Sequence, residues 1–354
     1  VKQLAAQVAL EAQERNNMRK PKYISSSSLG LWETDKEAYY LKHLAEVRPP
    51  KEPQMNYMGI GSAFDAFVKS ALHEALFGKG ADPTYELDAL FTAQVEPQNR
   101  DECMEAGHYA FEAYKLCGAY DELLADMQQS EFTPQFEFRL DKVVEGVPLM
   151  GYPDCFYIAK SGVHVVLDWK VNGFFSKYGA TPYKFYSMIR DGWDETTAKP
   201  SRNCSRPHPK YKEKIYRDVK IGSHYMEDTS PDWADQLSIY AWMLGEKVGG
   251  EDAIVCIDQL AAKRREGAYP LLRIANHRAK ISTKWQNQLV QRLKSCWKTI
   301  QSGHIFADLS EEDSKARQEI LELEAATLAR NSRVDDIEGW VSKISRQGER
   351  YRTR

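Results

Sequence analysis

The stretch Gly151–Lys170, GYPDCFYIAKSGVHVVLDWK, decides how the chain is read. It predicts a hairpin of two strands turning at Lys160-Ser161-Gly162, with Asp154 on the first strand and Asp168 and Lys170 on the second. Side chains alternate across a strand, so Val163, Val165, Leu167, Trp169 and Val171 share one face. His164, Val166, Asp168 and Lys170 share the other. Two carboxylates and a lysine are thereby gathered on adjoining strands, which a sheet built only for packing would not require.

Working outward, the period of two extends upstream through FEFRL and VPLMGYPDCFYIA, separated by the turn signals Glu145-Gly146 and Ser161-Gly162. The region from Thr133 to Val171 thus reads as a three-strand meander. Before it, apolar residues recur at helical spacing in MNYMGIGSAFDAFVKSALHEALF and from about Arg100 to Met127. After it, SPDWADQLSIYAWMLG carries the marks of a complete helix: Ser230 to cap, Pro231 for the first turn and Gly245 to stop. Ala253–Ile257 and Leu271–Ala275 read as further strands, and helices follow around Trp285–Ile300 and from Ser310 to about Arg330. The alternation of both periods predicts an α/β fold with a mixed central sheet flanked by helices. The domain reading is a helical extension over 1–20, a main domain over 21–309 and a C-terminal helix over 310–354, whose basic tail from Lys343 is expected to fray.

Composition sets the bounds. At 354 residues, 42% hydrophobic and 28% charged, the chain can bury a sizeable core. No run approaches the ~20 apolar residues of a membrane span, and Val1–Lys20 lacks the apolar heart of a signal peptide, so a cytoplasmic protein with no membrane partner is expected. The six cysteines are scattered without a CxxC pair, which points to neither a zinc ribbon nor a disulfide framework. A net charge of −3 means that any contact with nucleic acid must use a local basic surface. One candidate is the insertion at about 172–228, where Arg202, Arg206, Lys210, Lys212 and Lys214 are interleaved with Tyr211: cations for phosphates, an aromatic for a splayed base, or simply a solvated loop.

The pair Pro153-Asp154 followed by Asp168-Trp169-Lys170 resembles the signature of the PD-(D/E)XK nuclease superfamily. With Glu137 in FEFRL and Gly151 three residues before Asp154, the order E…GxxD…DxK is similar to its RecB-like branch. Gln236 and Tyr240 match the QxxxY helix of that branch, where i and i+4 share a face; an amphipathic helix with a surface Gln and a core Tyr would read the same. The serine cluster before Leu29, Trp32 and Tyr39-Tyr40 resembles its N-terminal helix. Two departures stand out. Asp65 occupies the place of the histidine in GxxxH and is either a hard-oxygen ligand or a helix-surface carboxylate, while the cysteines that hold an iron–sulfur cluster in some members have no counterpart.

The resemblance implies a restriction-endonuclease-like core and a Mg²⁺ or Mn²⁺ site with Asp154 and Asp168 as ligands, without an iron–sulfur cluster. Asp65 and Glu137 are candidates to join them; Glu137 equally fits a polar strand face. In this reading Lys170 orients or stabilises the attacking water, and Gln236 and Tyr240 hold the lysine. DNA is the implied substrate, a single-strand-binding or recombination protein the implied partner class, and host cytoplasm the setting if the chain is phage-encoded. A phage-type exonuclease is the expectation. The alternatives are a structure-specific or nicking endonuclease on the same site, and a DNA-binding or phage assembly protein that keeps the fold without catalysis.

Overall fold

A computed structural model describes residues 18–116, 118–172, 206–207, 214–217, 225–265 and 268–350. The helices used below are α1 (Ser26–Thr34), α2 (Asn56–Phe77), α3 (Leu87–Gln94), α4 (Arg100–Leu116), α5 (Ala119–Gln128), α6 (Pro231–Leu244), α7 (Thr283–Ser302) and α8 (Glu311–Arg350). The strands are β1 (Gln135–Phe136), β2 (Leu140–Val144), β3 (Val147–Gly151), β4 (Cys155–Ile158), β5 (His164–Asn172), β6 (Arg206–Pro207), β7 (Lys214–Arg217), β8 (Ile254–Arg265) and β9 (Ala268–Ala279). The chain divides into two compact units: Pro53–Val144 with Leu149–Val290, and Val1–Glu52 with Glu145–Pro148 and Gln291–Arg354.

The larger unit is built on a mixed α/β sheet in the order β1-β4-β5-β8-β9-β7-β6. β5 pairs in parallel with β8, and β7 in parallel with β9, while the remaining pairs are antiparallel. A parallel pair needs a crossover, and α6 lies in the connection between β5 and β8. The two faces of β5 meet different helices. Val165, Leu167 and Trp169 join one apolar cluster with Phe64, Phe67 and Val68 of α2, Tyr114 of α4 and Leu123 of α5. Asp168 and Lys170, on the opposite face, meet Gln236 of α6. Covering both faces explains why Val166 and Leu167, adjacent in sequence, are both buried.

Local chemistry accounts for the elements that the sequence predicts well. Ser230 accepts the backbone N–H of Trp233 at 3.5 Å to cap α6, Pro231 opens its first turn, and Gly245 at φ 116° lets the chain leave through a left-handed turn. Helices α2 and α4 pack closely because Gly107 has no side chain: a Cβ there would stand 2.5 Å from the Cβ of Ala63 and 2.9 Å from the backbone nitrogen of Phe64.

The structure departs from the sequence reading in five places. The helix expected from about Arg100 to Met127 is two, α4 and α5, the second entered through Gly118 at φ 84°. The stretch FEFRL is not one strand: β1 stops at Phe136, and Glu137 turns the chain with a positive φ of 44°. The expected second strand is likewise split. β3 pairs with β2 in a separate two-stranded sheet, joined through Glu145 and Gly146 at φ 52° and 84°, and only β4 enters the main sheet. Asp154 accordingly sits in a bend just before β4; Pro153, having no N–H, cannot continue a hydrogen-bonded ladder. The strands after α6 run twelve residues each as a long antiparallel pair, and the insertion adds β6 and β7 to the sheet edge. Finally, α8 continues to Arg350, past Lys343 where fraying was expected. The 1–20 extension, but for Met18–Lys20, lies outside the described residues.

The smaller unit is helical. Ser25 and Ser28 form a reciprocal capping box at the start of α1, as the serine cluster predicts. Trp32, Tyr39, Tyr40 and Leu44 are buried there, and the Tyr40 hydroxyl donates to Glu322 of α8 at 2.8 Å. Among the described residues no helix is long and apolar enough to cross a membrane.

Candidate metal centre

The site grows from β5. Asp168 is 3% exposed, and its Oδ1 accepts a hydrogen bond from Gln236 Nε2 at 3.0 Å while its Oδ2 forms an ion pair with Lys170. Lys170 Nζ donates to Gln236 Oε1 at 3.2 Å, and Gln236 Nε2 donates also to the Tyr240 hydroxyl at 3.0 Å. One amide therefore grips the carboxylate, the ammonium and the phenol, because i and i+4 on α6 share a face. Gly151 explains how Tyr240 comes so close: a Cβ at that position would lie 2.3 Å from Tyr240 Cε1 and 3.2 Å from Met243 Cε. Gly151→Ala is expected to push the phenol off Gln236 and, on the function proposed below, to lower the rate about tenfold, a loss of ~1.4 kcal/mol, with Tyr240→Phe lowering it less. Steady-state rates of the two variants check this, and an unchanged Gly151→Ala rate would remove Tyr240 from the site.

A second set of acids adjoins the first. Asp154 Oδ2 accepts the Trp169 backbone N–H at 3.0 Å, which ties the bend before β4 to the middle of β5 between Asp168 and Lys170. Its Oδ1 faces Lys69 Nζ at 3.2 Å. The same ammonium lies 2.6 Å from Asp65 Oδ2 and 3.1 Å from Glu137 Oε2. Lys69 is one turn beyond Asp65 on α2 and 1% exposed. Gln94, the last residue of α3, donates from Nε2 to Glu137 at 2.8 Å and to Asp65 at 3.0 Å. The positive φ of Glu137 turns it toward this group, and its backbone N–H donates to the Asp154 carbonyl at 3.1 Å.

Burial and mutual repulsion govern the charges. Burial, reinforced by the neighbouring Asp154, pushes Asp168 up to about 7 against the pull of Lys170. Burial also raises Asp65 to about 7, with Lys69 opposing and Asp154 and Glu137 adding to the rise. For Asp154, burial is outweighed by Lys69, Lys170 and the Trp169 N–H, so its carboxyl is held below the usual carboxylate range. Lys69 is buried and Lys170 half-buried, at a cost to their charge, yet the surrounding carboxylates keep both firmly protonated. Burial raises the Tyr240 phenol to about 12. Among the described residues, the four carboxylates Asp65, Glu137, Asp154 and Asp168 are paired with two ammonium groups, Lys69 and Lys170, an excess of acid over base.

The donor set suits a hard divalent cation. Asp65 Oδ1 and Gln94 Oε1 are buried oxygens that accept no hydrogen bond, and Asp168 Oδ2 accepts none beyond its ion pair with Lys170. Such oxygen atoms match the preference of Mg²⁺ or Mn²⁺. Among the described residues, no three Asp, Glu, His or Cys side chains stand in a metal-ligating group, and the acids of the second set converge on Lys69 Nζ.

All six residues Asp65, Glu137, Asp154, Asp168, Lys170 and Gln236, with Tyr240 behind them, are thus brought together by three separate elements and two bends. Of the basic insertion, Arg202, Lys210, Tyr211 and Lys212 lie outside the described residues; Arg206 and Lys214 fall on β6 and β7, at the far edge of the sheet from β1. Sequence reasoning missed Lys69 and Gln94. Spacing alone carried a faint signal for Lys69, since Asp65 and Lys69 are an i,i+4 pair, but nothing marked Gln94. It also missed the support behind β5. Trp169 Nε1 donates to the Tyr114 hydroxyl at 3.4 Å; Tyr114 in turn bonds Asp258, which also accepts from Asn276 at 2.7 Å and Arg278 at 2.6 Å.

The chain matches no protein-family model and no curated protein. Among solved structures it is similar to one described as "Crystal structure of SSO0001", at 11% identity and a TM-score of 0.21, over 75% of this chain and 84% of that one. So slight a likeness bears on neither fold nor function.

Proposed function

We propose that this protein is a divalent-cation-dependent deoxyribonuclease with a restriction-endonuclease-like core, acting as an exonuclease on DNA ends. The observation that carries the reading is the union of Asp154, Asp168 and Lys170, two carboxylates and an ammonium suited to cation-dependent phosphodiester hydrolysis, through the Trp169 N–H and the Gln236 amide. Asp154 and Asp168 would hold the cation. Bound there, a Mg²⁺ or Mn²⁺ ion supplies charge neutralisation of the phosphate and a lowered pKa for an attacking water.

The chain's own residues do the rest. Lys170 is kept charged by Asp168 and Asp154 and aimed by Gln236, so its ammonium can stabilise the negative charge that develops on the phosphoryl oxygens. Tyr240 holds the far side of the Gln236 amide and restricts its rotation. Burial of Asp168 keeps bulk water from screening these charges, which strengthens each of them. The choice of exonuclease rests on the resemblance to the RecB-like branch, and a cytoplasmic, phage-associated role in recombination or replication follows from the same source.

The test uses the purified chain with Mg²⁺ and three substrates: linear duplex, linear single strands and a covalently closed circle. Degradation of a linear substrate with the circle left intact is the expected result. Nicking of the circle would favour an endonuclease on the same site. No hydrolysis of any substrate in Mg²⁺ or Mn²⁺ would overturn the enzyme reading in favour of a DNA-binding or assembly role.

A further inference from the structure

Lys69 is the least expected charge in the molecule. A lysine side chain is almost never fully buried unless it is paired, and this one, at 1% exposure, is paired with three carboxylates at once. Asp65, Glu137 and Asp154 come from a helix, a turn and a bend widely separated in sequence, so their convergence is a product of the fold. Three acids from separate places in the chain thus share one positive charge between them. Their common centre is an ammonium group on a tether, and Gln94 from the next helix steadies two of the acids, Asp65 and Glu137, by donating to both.

We infer that Lys69 is a resident cation that takes the place of one divalent ion, so that the site binds a single Mg²⁺ or Mn²⁺ at Asp154 and Asp168. The charges agree. When Asp65, Glu137, Asp154 and Asp168 are all ionised, as cation binding requires of its ligands, Lys69 and Lys170 leave two negative charges over, which one divalent ion neutralises. Removing Lys69 leaves three, and a second ion then has both a charge to balance and ligands to meet it, including the Asp65 oxygen that now accepts no hydrogen bond. Lys69 acts in this scheme through the carboxylates it holds and is a positioning residue. It keeps Asp154 oriented for its cation whether or not that cation is bound.

The inference rests on the cation-dependent reading of the site, and metal counting separates the two. Mn²⁺ titration of the full chain, followed by the electron paramagnetic resonance of free Mn²⁺, is expected to show about one bound equivalent for the wild type and for Lys69→Arg, and about two for Lys69→Met. In EDTA, Lys69→Met is expected to melt below the wild type, and saturating Mn²⁺ is expected to raise its melting temperature by more than it raises that of the wild type. Two equivalents on the wild type, or one on Lys69→Met, would overturn the resident-cation role while leaving the cation-dependent site intact. No binding to the wild type would overturn both. Should Lys69→Met be unfolded in EDTA, its recovery of native circular dichroism in Mn²⁺ supports the inference, and failure to recover overturns it.

Discussion

Asp168→Asn is expected to lower the proposed Mg²⁺-dependent DNA hydrolysis by roughly 10³-fold or more, the equivalent of ~4 kcal/mol of transition-state stabilisation, while leaving the metal-free protein as stable as the wild type or more so. The two effects have one cause. Asp168 is buried beside Asp154, which makes its negative charge costly to the fold and valuable to a bound cation. An asparagine keeps the Oδ1 that accepts from Gln236, so that hydrogen bond survives, while the charge is lost and with it the ion pair of Oδ2 with Lys170.

The sign with pH follows from the direction of the shift. The folded pKa, about 7, lies above the unfolded value near ~3.9, so the folded state retains a proton that the unfolded chain releases between them. The contribution of Asp168 to stability is therefore present in full below ~4 and falls as pH rises through about 7. In EDTA, the variant should gain on the wild type across that window and melt a few degrees higher at pH 8. Melting curves at several pH values, with rates measured on the same preparations, decide the matter. A variant that keeps more than a tenth of the wild-type rate would sink the proposed role of Asp168.

Arg278→Met should act on stability instead, costing about 3–5 kcal/mol by leaving a buried carboxylate without its counter-charge. Asp258 is fully buried and lies opposite Trp169 in the parallel register of β5 and β8. Burial alone would raise its pKa, but Arg278, the Tyr114 hydroxyl and Asn276 outweigh burial and hold it below the usual range. A carboxyl with a depressed folded pKa contributes stability above its unfolded value, near ~3.9, and loses it as pH falls through the folded one. The gap between wild type and variant should thus be wide at neutral pH and narrow in strong acid.

The double variant Asp258→Asn with Arg278→Met is expected to lose less than Arg278→Met alone, because it removes the stranded charge as well. Urea denaturation of the single and double variants measures both. A single variant within ~1 kcal/mol of the wild type would show that the pair is not what anchors β5 from behind, since loss of an uncompensated buried charge exceeds that figure.

Much of the candidate site could be read before folding because its residues obey local periods. Asp168 and Lys170 share a face because a strand alternates, and Gln236 and Tyr240 share one because a helix returns at four residues. The ends of α6 and the hairpin turn at Glu145-Gly146 were legible for a related reason: Ser caps with its side chain, Pro fixes its own φ and Gly reaches positive φ without a clash, all local effects. The reading failed where the period continued but the partner changed. VPLMG and CFYI alternate as one strand would, yet a bend at Pro153-Asp154 sends them into different sheets.

By itself, then, the sequence determined the α/β character, the two-faced strand β5 and the pairing of its carboxylate with a lysine two residues on, all of which depend on neighbours within a few residues. Only the tertiary structure decided that Asp65, Glu137 and Asp154 meet at Lys69, that Gln94 joins them, and that Asp258 and Arg278 lie behind Trp169. Those contacts link residues tens of positions apart. They follow from strand order and helix packing, which the burial of apolar surface sets collectively and no local pattern records.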